Sequence, residues 1–169
     1  MMRTLEESID TKVTPVYRKI LVPLDGSKLA EQSLRHALAV IKPDEPAAIV
    51  LLTVVEPLNL GFFFPPGAGR IMNPDLMEQL LDQKETEAKE YLAQLSTRLK
   101  NIKVDLQTAL RKGRAADEIV KFAEFNNMDL IVISTHGRSG FGRWVVGSVT
   151  DQVMRSSKVP VLVIPPEPS

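Results

Sequence analysis

The densest run of residues able to do chemistry is Ser134-Thr135-His136-Gly137-Arg138-Ser139-Gly140-Phe141-Gly142-Arg143-Trp144-Val145-Val146-Gly147-Ser148. Glycines at such spacing let a phosphate oxygen approach backbone N–H groups with no Cβ in the way. Ser148 opens a helical pattern. The first N–H groups of a helix lack intrahelical partners, and its dipole gives that end a positive partial charge of about half a unit. A phosphate placed there is favoured by the hydrogen bonds and by the field. The Ser148 hydroxyl could cap the helix or touch the phosphate. The same glycines would equally build a tight loop that binds nothing. The run is not a Walker A loop, since GxxxxGK[ST] does not occur, and it does not follow the first strand as a GxGxxG dinucleotide fingerprint would.

Other reactive residues carry less. Arg138 and Arg143 could grip phosphate bidentately, or could be charges on an exposed loop. His136 has no Ser or Cys nucleophile and no carboxylate arranged around it, so no catalytic residue is assigned. His36, beside Arg35, lies off the apolar face of its helix and reads as exposed. Trp144, next to Val145 and Val146, reads as a packing or subunit-contact residue. Phe62-Phe63-Phe64-Pro65-Pro66 is an unusual loop. Leaving such side chains in water forgoes about 1.5–3 kcal/mol each, so the loop reads as a lid folded on the domain or as a contact surface. Asp44, Glu45, Asp151 and the Glu-rich second helix lack the spacing of a protein-only metal site, and no metal ligand is assigned.

The totals bound the function. A chain of 169 residues fits one domain with a substantial core. Lys plus Arg number 21 and Asp plus Glu number 21, so no general nucleic-acid surface or polybasic membrane tether is expected. Without cysteine there are no disulfides, thiolate catalysis or Cys-based metal sites. The stretch from Met1 to Val16 carries Glu6, Glu7 and Asp10 and does not read as a signal peptide. No stretch approaches the roughly 18 apolar residues of a membrane span. These readings predict a cytoplasmic protein with no membrane partner.

The elements that must position the Gly-rich run alternate in type. Lys19-Ile20-Leu21-Val22 is short, continuous and branched, like a strand buried on both faces, and Pro23 should end it. Ser27 is a plausible helix N-cap, with Leu34, Ala37, Leu38 and Ile41 as one apolar face and Pro43 as the exit. Ile49 to Val55 is a second buried strand. Residues 57–73 read as a Pro- and Phe-rich loop, and Pro74-Asp75 starts a helix. Leu76, Leu80, Ala88, Tyr91, Leu92, Leu95 and Leu99 carry its face to Lys100. Val104, Leu106 and Leu110 suggest a third strand near an edge, broken at Gly113-Arg114. Ile119, Val120, Phe122 and Ala123 suggest a helix ending near Asn126-Asn127. Leu130 to Ile133 is the fourth strand, Ser148 to about Ser156 a helix, and Val159 to Ile164 the last strand. Such alternation predicts a parallel sheet with helices on both faces. In such a sheet, ligands collect beyond the carboxyl ends of the strands. The chain divides into an N-terminal extension (1–16), one domain (17–164) and a Pro-rich tail (165–169).

Three motifs in order resemble the universal stress protein family. Val22-Pro23-Leu24-Asp25-Gly26-Ser27 is similar to the family's start, Ser134 through Ser148 to its nucleotide loop, and Val159-Pro160-Val161-Leu162-Val163-Ile164 to its last strand. The resemblance runs from about Tyr17 to Ile164. The family's ATP-binding branch has Gly, two residues, Gly, nine residues, then Gly-Ser or Gly-Thr. Gly137, the nine residues 138–146 and Gly147-Ser148 fit, while Ser134 replaces the first glycine.

The resemblance implies an open five-stranded parallel sheet in the order 3-2-1-4-5, the adenine nucleotide alpha-hydrolase-like α/β architecture. It implies ATP, with Mg or Mn, as cofactor. Pro23, Leu24 and Asp25 would face Ser134 to Gly137 across the crevice, Leu24, Asp25 and Val54 would surround the adenosine, and Asp25 could bond a ribose or base group or help with a metal held by the triphosphate. Ile133, Ser134 and Gly137 would line the ribose and phosphates, with Arg138 and Gly140 nearby on the same loop. Gly147, Ser148, Val149 and Thr150 would hold the phosphates. It further implies a homodimer through the last strand, whose apolar edge would otherwise invite pairing. The function expected is a nucleotide-dependent sensor or adaptor in stress response, working on an unidentified protein partner. A slow ATPase or nucleotide-transferring enzyme is the alternative, with at most weak hydrolysis expected.

Overall fold

A computed structural model describes residues 17–42, 46–57, 74–135 and 147–166. Five strands alternate with four helices: β1 (Lys19–Pro23), α1 (Lys28–Ala39), β2 (Ala48–Val55), α2 (Pro74–Arg98), β3 (Asp105–Lys112), α3 (Ala115–Phe125), β4 (Leu130–Ser134), α4 (Ser148–Ser156) and β5 (Val161–Ile164). All pairings are parallel and the order is β3-β2-β1-β4-β5, as expected. The continuous apolar runs follow from this geometry. A strand covered by helices on both faces meets no water on either side, so alternation with polar residues disappears. In β1, Ile20, Leu21, Val22 and Pro23 are all buried, and in β4 every residue is.

Two cores lie on opposite faces of the sheet. One packs Ile20, Val22, Ile49, Leu51, Leu130 and Val132 against Ala30, Leu34 and Ala37 of α1 and Leu92 and Leu95 of α2. The other packs Leu21, Val50, Leu52, Ile131 and Ile133 against Ala116, Ile119, Phe122 and Ala123 of α3 and Val153 of α4. At about 1.5–3 kcal/mol for each large side chain removed from water, these layers are the main favourable term in folding. The second layer places the starts of α3 and α4 above the ends of β1, β2 and β4.

The local devices that begin and end elements are visible. Ser27 caps α1, its hydroxyl accepting from Ala30 N at 3.1 Å. Asp129 joins the starts of β1 and β4, its Oδ2 accepting from Arg18 N at 2.9 Å and Lys19 N at 2.8 Å. Asn127, at φ 51, ends the α3 connection in the left-handed region that Asn tolerates. Helices α1 and α2 are tied by Glu31, which accepts from Tyr91 Oη at 3.3 Å and pairs with Arg98 at 3.0 Å. Burial first, then the charges of Glu31 and Asp25, pushes the Tyr91 hydroxyl well above its usual range.

Some sequence expectations shift. The last strand begins at Val161 rather than Val159. Ser157 folds its hydroxyl against Val159, accepting from its N at 3.0 Å and donating to its O at 2.8 Å, so these residues form a turn. Leu76 is not part of the core face of α2: it is exposed, and that helix buries Ala88, Leu92 and Leu95 instead. Ile41 lies beyond the end of α1 but still packs against the first core. His36 is exposed. The stretch 1–16, most of the 57–73 loop with Phe62, Phe63 and Phe64, residues His136, Arg143 and Trp144, and the end of the tail lie outside the described residues.

Candidate functional site

The strand order reverses direction at β1. The chain steps from β1 to β2 on one side and returns to β4 on the other, so β1 and β4 are neighbours whose following segments diverge. A crevice opens where two such connections part. Here it is a cavity of about 450 Å³, within the roughly 300–1,000 Å³ usual for small-molecule sites.

The β1 wall is built from Pro23, Leu24 and Asp25. Pro23 closes β1 in register with Leu52, and Leu24 N donates to Leu52 O at 2.8 Å, carrying the backbone one residue past the strand. The chain then turns sharply. Gly26 sits at φ +83, and Asp25 Oδ1 accepts from Ser27 N at 3.0 Å across that turn. The carboxylate is thereby fixed at the crevice rim while Ser27 starts α1.

The opposite wall comes from β4 and the start of α4. Ile133 and Ser134 end β4, and Ser134 is paired with Ile164 in ordinary strand register. A glycine is not required by the backbone there, so serine in place of the family's first glycine is accommodated, and it is buried. Two hydroxyls hold α4 to the end of β4. Thr135 Oγ1 accepts from Gly147 N at 3.1 Å, and the buried Thr150 Oγ1 donates to Ser134 O at 2.8 Å. The N-cap of α4 is Gly147, with Ser148 as the first helical residue. Ser148 therefore does not cap the helix. Gly147 has no side chain to offer, and no side chain takes its place among the described residues. Gly147, Ser148, Val149 and Thr150 line the cavity.

Of the residues nominated from sequence, Pro23, Leu24, Asp25, Val54, Ile133, Ser134, Gly147, Ser148, Val149 and Thr150 meet around this one cavity. Gly137, Arg138 and Gly140 lie outside the described residues. Four lining residues were not foreseen: Ala30, Leu52, Ala115 and Ile119. Leu52 stands two residues before Val54 on the same strand face, and Ala115 and Ile119 stand four apart on one helix face. Those periods were the available signal, but only the packing of α3 on β2 shows that both sets converge.

The start of α3 is arranged differently from that of α4. Its N-cap, Arg114, makes no capping bond with its own side chain. Glu56, just past β2, accepts from Ala115 N at 2.6 Å instead. Arg114 donates to Gln152 Oε1 at 2.8 Å, and Gln152 donates to Asp117 at 3.0 Å, which fixes the first turn of α3 beside α4. Among the described residues no group of three or more His, Asp or Glu side chains is placed to hold a metal ion. No described helix is long and apolar enough to cross a membrane.

The arrangement can take an elongated ligand with an anionic end at α4 and an apolar end near Leu52, Val54, Ala115 and Ile119. Comparison with known proteins is consistent with the architecture. The sequence profile of the universal stress protein family matches residues 16–165. Universal stress protein MJ0531 of Methanocaldococcus jannaschii is 32% identical over 150 residues, spanning 88% of this chain and 82% of the relative. MJ0577 of the same organism is 32% identical over 157 residues, spanning 88% and 95%. The solved structure of MJ0577 superposes with a TM-score of 0.74 over 91% of this chain and 99% of its own. The fold is shared with a universal stress protein in complex with cAMP (TM-score 0.57, 22% identity, 88% and 97% covered) and with an Arabidopsis thaliana member with AMP bound (0.61, 14%, 89% and 92%). From the profile match, the two relatives and the strand order together, this chain belongs to the universal stress protein family.

Proposed function

We propose that the chain binds an adenine nucleotide, ATP in preference, in the crevice between β1 and β4, and acts as a nucleotide-dependent dimeric sensor or adaptor. The observation that carries this reading is the start of α4. A nine-residue helix opens on the cavity with a glycine at its N-cap and no side chain satisfying its first turn among the described residues. Unpaired N–H groups and the positive end of the dipole favour a phosphate by hydrogen bonding and by field. Leu24, Val54 and their neighbours offer an apolar bed for a base, with Asp25 at the rim for a ribose hydroxyl or a base group. Gly137, Arg138 and Gly140 belong to the same loop in sequence and would complete the phosphate side, where Mg or Mn could accompany the triphosphate. Family members with AMP and with cAMP bound support an adenine ligand at the level of the fold.

The adaptor part of the reading rests on binding without an assembled nucleophile and base among the described residues, so that the nucleotide acts by shifting populations. The dimer would form through β5, an edge strand whose Val161, Leu162 and Val163 are only partly buried in the monomer.

Thermal unfolding tests the binding reading. Nucleotide at about 100 times its dissociation constant adds roughly 2.7 kcal/mol of stability, a shift of a few degrees or more for a domain of this size. ATP with Mg²⁺ is expected to give the largest shift among ATP, ADP, AMP and cAMP. Gly147 has φ −62 and ψ 150, open to any residue, so Gly147→Val should fold and lose the shift. A variant that keeps the full shift would place the phosphates elsewhere. Release of phosphate at roughly 1–10³ s⁻¹, the ordinary range for enzymes, would overturn the adaptor reading.

A further inference from the structure

Two helix N-termini open on the same cavity, since Ala115 at the start of α3 and Ser148 at the start of α4 both line it. By dipole alone, either could draw an anion. Their surroundings differ. At α3, the Glu56 carboxylate accepts from Ala115 N at 2.6 Å, across 59 residues of sequence. No ion pair to Glu56 is made among the described residues. Asp117 and Glu118 follow in the same turn, and they are matched by Arg114 at 3.6 Å and Lys121 at 3.0 Å. At α4 the only acidic residue of the first turn, Asp151, is paired with Arg155 at 2.9 Å, the N-cap glycine has no side chain to cap with, and no carboxylate among the described residues takes that place. Among the described residues, one end of the cavity therefore carries a carboxylate without an ion pair that already occupies the helix start, and the other does not. The lining beside the Glu56 end, Leu52, Val54, Ala115 and Ile119, is apolar.

We propose that Glu56 is a positioning residue that sets the polarity of the crevice: by occupying the start of α3 it excludes phosphate from that end, leaving the start of α4 as the anion end and the apolar β2–α3 end for the base. This rests on the nucleotide reading above. Glu56 does not line the cavity and need not touch the ligand. It acts through the Ala115 amide and through its charge. The guided ligand is a nucleoside polyphosphate, in which one end is charged and the other flat and apolar.

Two substitutions separate charge from capping. Glu56→Gln keeps an oxygen able to accept from Ala115 N and removes the charge, while Glu56→Ala removes both. Calorimetric titrations of the full chain with inorganic tripolyphosphate, ATP and adenosine give the readout. Removing one unit charge near an anion, at an effective dielectric constant between protein and water, changes its affinity by several-fold. Tripolyphosphate is therefore expected to bind Glu56→Gln about three- to tenfold more tightly than the native chain. It should bind Glu56→Ala at least as tightly, while adenosine affinity stays within about twofold. A residue that merely capped α3 would lower the unfolding temperature and weaken all three ligands together. Unchanged or weakened tripolyphosphate binding in both variants, with native ATP binding intact, would overturn the role of Glu56 alone. A native chain that binds neither ATP nor tripolyphosphate would overturn the nucleotide reading and this inference with it.

Discussion

Asp25-Gly26-Ser27 shows how much of the site rests on a single backbone angle. Asp25 reaches the crevice rim because the chain reverses at Gly26, whose φ of +83 is unfavourable for any side chain. Space is not the constraint there: a Cβ would meet nothing within 4 Å. Gly26→Ala is expected to destabilise by about 1–2 kcal/mol through backbone strain alone. Because the same turn carries the Asp25–Ser27 bond and the α1 cap, nucleotide affinity should fall with it. Denaturant unfolding and an ATP titration of the variant check both parts; native stability would mean the turn relaxes to another form. Gly113 is more constrained, with φ +144 and a Cβ position 2.9 Å from Glu118 Cγ. Ser134 teaches the opposite lesson. It departs from the family pattern, yet it sits in regular strand register where glycine has no special role. Sequence shows the substitution but not the backbone angle, and only the angle decides what the substitution means.

At the scale of elements, the helices are attached to the sheet by polar groups as well as by apolar layers. Glu85 of α2 is held by Lys112 of β3 and by Lys89 at 2.8 Å, one turn along its own helix. Hydrogen bonds from Lys112 and then Lys89 draw the Glu85 carboxyl down from 4.5 to about 2. A carboxyl lowered on folding stabilises the native state above its unfolded value. That stabilisation is lost as pH falls from about 4.5 toward 2. The acid limb of the unfolding temperature should therefore be shallower for Glu85→Gln than for the native chain, and added salt should reduce the difference, since the lysines are exposed. Equal slopes over that pH range would show that the bridge contributes nothing in solution. Element types and order were legible because both-face burial leaves near-continuous apolar runs in β1, β2 and β4, and because Ser27 and Pro74 mark helix starts. Two details were not. The turn at Ser157 depends on a hydroxyl folding back on Val159, and the exposure of Leu76 depends on where α2 leaves the sheet. Neither is set by the period of the sequence.

On the scale of the whole molecule, the site is a product of topology. Residues from β1, β2, β4, α3 and α4 meet because the sheet order reverses at β1 and because the second core seats α3 and α4 side by side. The family resemblance named ten residues that line the crevice. It did not name Leu52, Ala115 and Ile119, whose place follows from helix packing, or Glu56, whose partner is 59 residues away. Long-range convergence of this kind leaves no local pattern to read. The central claim is that phosphates sit at the start of α4 and the base toward β2 and α3. Amide resonances recorded during titration with ATP, and separately with adenosine, test it most directly. The expected result is that Ser148, Val149 and Thr150 shift strongly with ATP and little with adenosine, while Leu52, Val54, Ala115 and Ile119 shift with both. ATP binding that leaves the α4 amides unmoved, or millimolar ATP that moves no resonance at all, would contradict the account.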